Sequence, residues 1–127
     1  MKALIADDSA TMRRILKTML TPLGFESVAE AADGAEAVKN CRASDFDLIL
    51  MDWNMPNLSG IEALKQIRAA GLRMPIIMVT TEAEQARVVD ALKAGASNYI
   101  IKPFNQNTIE KKVRETLERA SQRGQTR

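Results

Sequence analysis

The chain has 127 residues, of which 46% are apolar and 27% charged, so it can form one globular domain with a full core but not two. No apolar run is long enough to span a bilayer, and the start of the chain does not resemble a signal peptide. The chain has a single cysteine, Cys41, and no histidine, which favours a reducing, cytoplasmic setting. The net charge of +2 is the sum of +3 in residues 110–127 and −1 in residues 1–109. The basic segment lacks interleaved aromatic residues and any DNA-binding motif, so nucleic-acid binding is disfavoured.

Short apolar runs alternate with amphipathic stretches, a pattern typical of a parallel sheet with crossover helices. The first, third and fourth runs are nearly all apolar, as expected of strands that are covered on both faces. The second run contains Glu30 and small alanines, so we place it at an edge of the sheet. In chain order the predicted strands are Lys2–Ala6, Ser27–Ala31, Leu48–Met51, Ile76–Thr80 and Tyr99–Ile101.

The stretches between and after these runs predict five helices. The first has one apolar stripe and ends at Pro22 and Gly24; the stripe consists of Met12, Ile15, Leu16, Met19 and Leu20. The others are predicted over Ala35–Arg42, from Ile61 to about Ala70, over about Ala83–Ala94, and from a capping box at Asn107-Thr108-Ile109-Glu110. The domain is expected to comprise residues 1–119, followed by a flexible basic tail over residues 120–127.

Five β/α units in one small domain predict an open, doubly wound α/β sheet, in which ligands bind outside the carboxyl ends of the strands. Chemically active side chains gather at those ends. They are Asp7 and Asp8 after the first strand, Asp52 after the third, Thr80 at the end of the fourth, and Lys102 after the fifth. All of them are therefore expected at one crevice.

This combination of groups predicts phosphoryl chemistry. Three clustered carboxylates repel one another unless a cation joins them, and hard oxygen ligands suit Mg²⁺. A lysine and a hydroxyl beside the metal suit a phosphoryl group, which could be transferred to a carboxylate. Each residue alone also has a structural interpretation, such as a helix cap by Asp8-Ser9 or Asp8 alone, or a turn residue for Asp52. The four strand ends together favour the functional interpretation.

Short motifs lie at and between these strand ends: Asp7-Asp8-Ser9, Thr11-Met12-Arg13-Arg14, Asp33-Gly34, Asp52-Trp53-Asn54-Met55-Pro56, Ser59-Gly60, Met78-Val79-Thr80, Ala94-Gly95-Ala96, Tyr99 and Lys102-Pro103-Phe104. In these motifs the chain resembles the response-regulator receiver family over residues 2 to about 119. The motifs Thr-Met-Arg-Arg and Asp-Trp-Asn-Met-Pro point to the chemotaxis branch of that family.

The resemblance implies a flavodoxin-like (βα)5 three-layer sandwich with strand order 2-1-3-4-5. It implies that Asp52 is the phosphoacceptor, with Mg²⁺ held by Asp7, Asp8, Asp52 and the backbone carbonyl of Asn54. Lys102, preceding a cis Pro103, would pair with the phosphoryl oxygens, and Thr80 would hydrogen-bond one of them. Thr80 and Tyr99 would form the switch, and Asn54 and Glu82 would tune dephosphorylation.

The resemblance also implies the partners. A CheA-like histidine kinase would phosphorylate the protein, and a FliM-like flagellar motor switch protein would bind a face containing Val88, Tyr99 and Lys112. The protein is expected to be a monomer that contacts neither nucleic acid nor membrane. A phosphatase could assist dephosphorylation. Val88 has an equally weighted interpretation as a packing residue. The protein is expected to catalyse only its own phosphorylation and dephosphorylation and not to be an enzyme in any other sense. The alternative is a phosphorelay intermediate or phosphate sink that exchanges phosphoryl groups with a histidine phosphotransfer protein through the first helix.

Overall fold

The computed structural model describes residues 1–81 and 86–125, with side chains described as far as residue 122. Five parallel strands form one sheet in the order β2-β1-β3-β4-β5. The strands are β1 (Lys2–Ala6), β2 (Ser27–Ala31), β3 (Leu48–Asp52), β4 (Ile76–Thr81) and β5 (Asn98–Lys102). The α-helices are α1 (Ala10–Leu20), α2 (Gly34–Ala43), α3 (Gly60–Ala69), α4 (Val88–Lys93) and α5 (Gln106–Gln125).

The sheet separates two apolar clusters, which makes a three-layer sandwich. Successive side chains of a strand point to opposite faces, so β1 sends Leu4 to the cluster with α2 and α3 and Ile5 to the cluster with α1 and α5. All five residues of β3 are buried, as expected of a strand covered on both sides. The predicted fold class and strand order are confirmed, including the position of β2 at an edge.

The strand predictions agree with the structure to within one residue at each end. The first helical stripe needs a correction, because Ile15 is 40% exposed whereas Leu16 and Leu20 are buried. That stripe is too wide for a helix that contacts the sheet along one line, so a residue on its flank remains at the surface. A short 3₁₀ turn, Thr21–Leu23, extends the helix to Gly24.

The last two helices differ from their predicted starts. The fourth helix begins at Val88 rather than near Ala83, after a 3₁₀ turn at residues 86 and 87, and residue 83 lies outside the described residues. The fifth helix begins at Gln106. In its first turn the Thr108 N–H donates to the Asn105 side-chain oxygen at 2.9 Å, so Asn105 caps the helix instead of Asn107.

The fifth helix also continues past residue 119 to Gln125. The division into a domain over 1–119 and a flexible tail over 120–127 stays a prediction. Among the described residues, no helix combines the length and the apolar character that a membrane crossing requires.

Candidate functional site

Three carboxylates meet at the carboxyl ends of two neighbouring strands. Asp7 and Asp8 directly follow β1, and Asp52 is the last residue of β3, which pairs with β1 in parallel. One oxygen from each of the three carboxylates lies within 4.8 Å of the other two. Asp7 and Asp52 are buried, whereas Asp8 is exposed. The predicted convergence of these residues is therefore present in the fold.

Asp7 is held by the local structure of the β1–α1 connection. Its Oδ1 accepts the backbone N–H of Ser9 at 2.8 Å, and the Ser9 hydroxyl in turn caps α1 by accepting the N–H of Met12. Ser9, rather than Asp8, is thus the cap of this helix, which leaves Asp8 available to the cluster. Arg13, one turn into the helix, donates to the Asp7 carbonyl oxygen at 2.6 Å and pairs with Glu30 at 2.8 Å.

Lys102, at the end of β5, provides the positive charge of the site. Its ammonium lies 3.2 Å from Asp52 Oδ1 and 3.6 Å from Asp7 Oδ2. The Lys102–Pro103 peptide bond is cis, as the resemblance implied. One lysine therefore faces two buried carboxylates, with the exposed carboxylate of Asp8 close by.

The excess of acidic groups is visible in the electrostatics of Asp52. Burial, reinforced by the neighbouring Asp7 carboxylate, raises the pKa of Asp52 to about 6, although Lys102 opposes the shift. Asp7 Oδ2 is the one buried side-chain oxygen or nitrogen in the described part of the chain that has no hydrogen-bond partner. Both observations indicate a site with more negative charge than the protein alone neutralises.

The site fits a small divalent cation. Its donor set consists of carboxylate oxygens, which Mg²⁺ prefers, and a buried carboxylate oxygen without a hydrogen bond is free to serve as a ligand. A cation would also relieve the repulsion between Asp7 and Asp52. Asp7, Asp8 and Asp52 are therefore the residues that could hold it, while the role of the Asn54 backbone carbonyl stays a prediction.

The remaining predicted site residues have different surroundings. Thr80 is fully buried at the end of β4, next to β3, and its hydroxyl donates to the Thr81 carbonyl oxygen at 2.9 Å. Asn54 is exposed just beyond β3. Glu82 lies outside the described residues.

On the proposed partner face, Tyr99 is half-buried and the Lys112 ammonium lies 4.1 Å from the centre of its ring. Val88 is buried, with 8% of its surface exposed, whereas its neighbour Val89 is 58% exposed. This burial favours the packing interpretation of Val88, its place on a partner face stays a prediction, and Val89 is the more exposed of the two valines.

Two supporting residues lay in the quoted motifs but had no assigned role. Gly60 donates its N–H to the Trp53 carbonyl oxygen at 2.8 Å, and a Cβ atom at this position would overlap with the Asp52 carbonyl oxygen. A glycine is needed here because the start of α3 approaches the backbone of the Asp52 strand so closely. Arg13 orients the end of β1 as described above. The sequence signal for this role of Arg13 was its position one helical turn after the Ser9 cap.

A five-stranded, doubly wound sheet with this acid cluster and lysine at its carboxyl edge is the architecture of a signalling receiver. The chain belongs to the response regulator receiver domain family, whose family model matches residues 3–114. Such domains are not enzymes in the usual sense.

Relatives extend over nearly the whole chain. It is 44% identical to the chemotaxis protein CheY-3 of Vibrio cholerae over 121 residues, which cover 94% of this chain and 93% of the relative. It is 41% identical to the chemotaxis protein CheY of Pseudomonas aeruginosa over 123 residues, covering 95% and 99%. Among solved structures it resembles the receiver domain of the sensor histidine kinase PA1611 of Pseudomonas aeruginosa, which has a magnesium ion in its active-site cleft, with a TM-score of 0.78, 34% identity and coverage of 93% and 94%.

Proposed function

We propose that this receiver domain is a response regulator that accepts a phosphoryl group on Asp52 from a sensor histidine kinase in a Mg²⁺-dependent reaction. The observation that carries the proposal is the buried pair of Asp7 and Asp52 facing one lysine, with Asp7 Oδ2 lacking a hydrogen bond. Burying two carboxylates beside one lysine is costly, and clusters of titratable groups with a perturbed pKa mark candidate functional sites. Asp7, Asp8 and Asp52 would hold the metal, and the structure of the PA1611 receiver domain has magnesium in the corresponding kind of cleft.

The residues of the site can divide the reaction among them. An Asp52 carboxylate oxygen attacks phosphorus, a new P–O bond forms, and the bond to the donor breaks, with its electron pair leaving on the donor. With a pKa of about 6, Asp52 is mostly ionised at neutral pH and so is available as a nucleophile. Lys102, already 3.2 Å from Asp52 Oδ1, neutralises incoming phosphoryl oxygens, and a bound Mg²⁺ would neutralise further charge.

The signal would be delivered by protein binding. The Thr80 hydroxyl, now bonded to a backbone oxygen, can turn to a phosphoryl oxygen, and Tyr99 then changes its exposure. The relatives named as chemotaxis proteins favour a CheA-like kinase as donor and a FliM-like motor switch protein as recipient, in the cytoplasm. The face formed by α4, β5 and α5, with Tyr99, Lys112 and the exposed Val89, would make that contact.

The alternative function, a phosphorelay intermediate or phosphate sink, has one observation in its favour. A pocket of about 360 Å³ beside Lys102 is lined by apolar residues of α1 and of the segment after β5, namely Met12, Ile15, Met19, Pro103 and Phe104. Ile15 is 40% exposed there. An apolar surface beside Lys102, whose ammonium contacts Asp52, suits a helical phosphotransfer partner.

The experiment that tests the function is labelling by a small phosphodonor, acetyl phosphate, with Mg²⁺. Wild type should be labelled and Asp52→Asn should not. Asp47→Asn, which removes an exposed carboxylate elsewhere, should be labelled to the same extent as wild type. Equal labelling of wild type and Asp52→Asn would disprove the assignment. Transfer from labelled protein to a phosphotransfer histidine, compared with phosphorylation-dependent capture of the motor switch protein, would separate the two outputs.

A further inference from the structure

A buried polar network connects β5 to α5 and takes no part in the phosphorylation chemistry. Asn98 and Thr116 are 5% and 2% exposed. The Asn98 side-chain nitrogen donates to the Thr116 hydroxyl at 3.2 Å, and this hydroxyl donates to the Lys112 carbonyl oxygen at 2.7 Å. Since buried polar groups cost free energy unless they are bonded, these contacts fix β5 against one particular turn of α5.

The other end of the Asn98 amide is directed at the tyrosine switch. Its Oδ1 accepts the backbone N–H of Tyr99 at 2.9 Å and lies 3.5 Å from the ammonium of Lys112. One amide therefore contacts the strand position that carries the tyrosine and also the lysine that approaches its ring. The Thr116 hydroxyl holds the backbone of that same lysine.

The Lys112 ammonium completes the network by lying 4.1 Å from the centre of the Tyr99 ring. Ile100 packs in the cluster that contains Ile109 and Val113 of α5, so Tyr99, one residue earlier, points to the other face of the sheet. Lys112 must therefore reach around the edge strand to contact the ring. A cation within about 6 Å of an aromatic face attracts it, and the attraction is lost when the ring turns away.

We propose that Asn98 and Thr116 are positioning residues that hold the Lys112 ammonium over Tyr99 and thereby set the resting position of the tyrosine switch. The inference rests on the proposed function, because it gives Tyr99 the role of reporting phosphorylation. Movement of the ring must break the 4.1 Å contact, so Lys112 favours the half-buried ring in the unphosphorylated protein. Loss of the contact should change the ratio of the two ring positions by about two- to fivefold, the range for a single cation–π pair.

Fluorine NMR can test this directly, because Tyr99 is the only tyrosine in the chain. Protein labelled with 3-fluorotyrosine gives one resonance, whose chemical shift and H₂O/D₂O isotope shift report the surroundings and exposure of the ring. Without phosphodonor, Lys112→Met should move both values toward those of wild type treated with acetyl phosphate and Mg²⁺. Thr116→Val, which keeps the side-chain shape and loses the hydroxyl, should move them in the same direction by less.

Matched variants separate positioning from general disturbance. Lys112→Arg keeps a cation and Thr116→Ser keeps a hydroxyl, so both should stay near wild type. Lys111→Met removes the same charge from the adjacent, exposed position of α5 and should leave the resonance unchanged. A Lys112→Met resonance that coincides with wild type, or an equal movement in Lys111→Met, would overturn the proposal.

The Lys112 variants keep the test decisive if Thr116→Val does not fold, because Lys112 is only partly buried. Failure of the proposed function would look different. In that case acetyl phosphate would not shift the wild-type resonance, while the isotope shift of Lys112→Met without phosphodonor would still show whether the lysine holds the ring.

Discussion

The two ends of the sheet treat charge in opposite ways. At the amino end, the Met1 ammonium contacts the Glu26 carboxylate at 2.6 Å, and the Asp47 carboxylate accepts the N–H of Lys2 at 2.7 Å. Glu26 and Asp47 are exposed, and each has a partner. At the carboxyl end, Asp7 and Asp52 are buried, and Asp7 Oδ2 has no hydrogen bond.

This difference separates structural charges from functional ones. An exposed pair costs little to form and contributes little, whereas two buried carboxylates near one another destabilise the fold unless something compensates them. Within residues 1–81 and 86–122, the buried carboxylates lie at the end of the sheet where a metal and a phosphoryl group could use them. Each prediction below therefore compares a change at the carboxyl end with a matched change at the amino end, except the last, which tests the amino end by itself.

The largest effect is expected from Gly60→Ala. The new Cβ would overlap with the Asp52 carbonyl oxygen and lie 2.9 Å from its carbonyl carbon, so β3 and α3 would have to separate. We expect the free energy of unfolding to fall by about 3 kcal/mol or more, measured in urea. Gly71→Ala at the amino end meets no atom within 4 Å but has a φ of +83°, and should cost only about 1–2 kcal/mol. Equal losses of unfolding free energy in the two variants would mean that the close approach of α3 to the Asp52 backbone does not require a glycine at position 60.

The second comparison concerns the metal. Asp7→Asn should weaken Mg²⁺ binding by about tenfold or more, because a buried anionic ligand is lost, whereas Asp47→Asn should bind as wild type does. Trp53, which follows Asp52, provides a fluorescence reading of a Mg²⁺ titration. Unchanged affinity in Asp7→Asn would remove Asp7 from the metal site.

Much of this end of the molecule was predictable from the sequence. Parallel strands end at one edge, so acids after the first and third strands and a lysine after the fifth must converge whatever the detailed packing. The apolar runs were equally informative, because strands covered on both faces tolerate few polar residues. That argument predicted Asp7, Asp8, Asp52, Thr80 and Lys102 together.

The remaining features depend on distances that no sequence pattern encodes. The close approach at Gly60 depends on how α3 meets the Asp52 strand, and the exposure of Ile15 depends on where α1 crosses the sheet. Val88 and Val89 are adjacent and chemically identical, so only the orientation of α4 decides which one is buried. The Asn98–Thr116 bond joins residues 18 positions apart, and neither residue carries a signal by itself.

The third prediction uses the raised pKa of Asp52, which is about 6 in the folded protein against an ordinary value of 3.8. The folded state holds this proton more tightly, so wild type without metal loses stability as the pH rises from about 4 to about 6. With a chelator present, Asp52→Asn should match wild type below about pH 4 and exceed it by about 1–3 kcal/mol above about pH 6. Urea unfolding across this range gives the curve.

The control for that measurement is Asp47→Asn at the amino end. Unlike Asp52→Asn, this variant should not be more stable than wild type above about pH 6, because the Asp47 carboxylate is exposed and accepts the N–H of Lys2 at 2.7 Å. Parallel curves for wild type and Asp52→Asn would show that the two buried carboxylates do not strain the metal-free fold, and the contrast between the two ends would fail.

The smallest effect is expected from Glu26→Gln at the amino end. The hydrogen bond from the Met1 ammonium lowers the pKa of Glu26, so the pair stabilises the fold above the ordinary pKa and loses this contribution as the pH falls through the lowered value. Both partners are well exposed, at 39% and 74%, so solvent screens the attraction. We expect a slight decrease in the urea midpoint at neutral pH that disappears in about 1 M NaCl and in acid. A large decrease that persists in salt would contradict this comparison. It would show that Glu26 stabilises the fold through an interaction that salt does not screen.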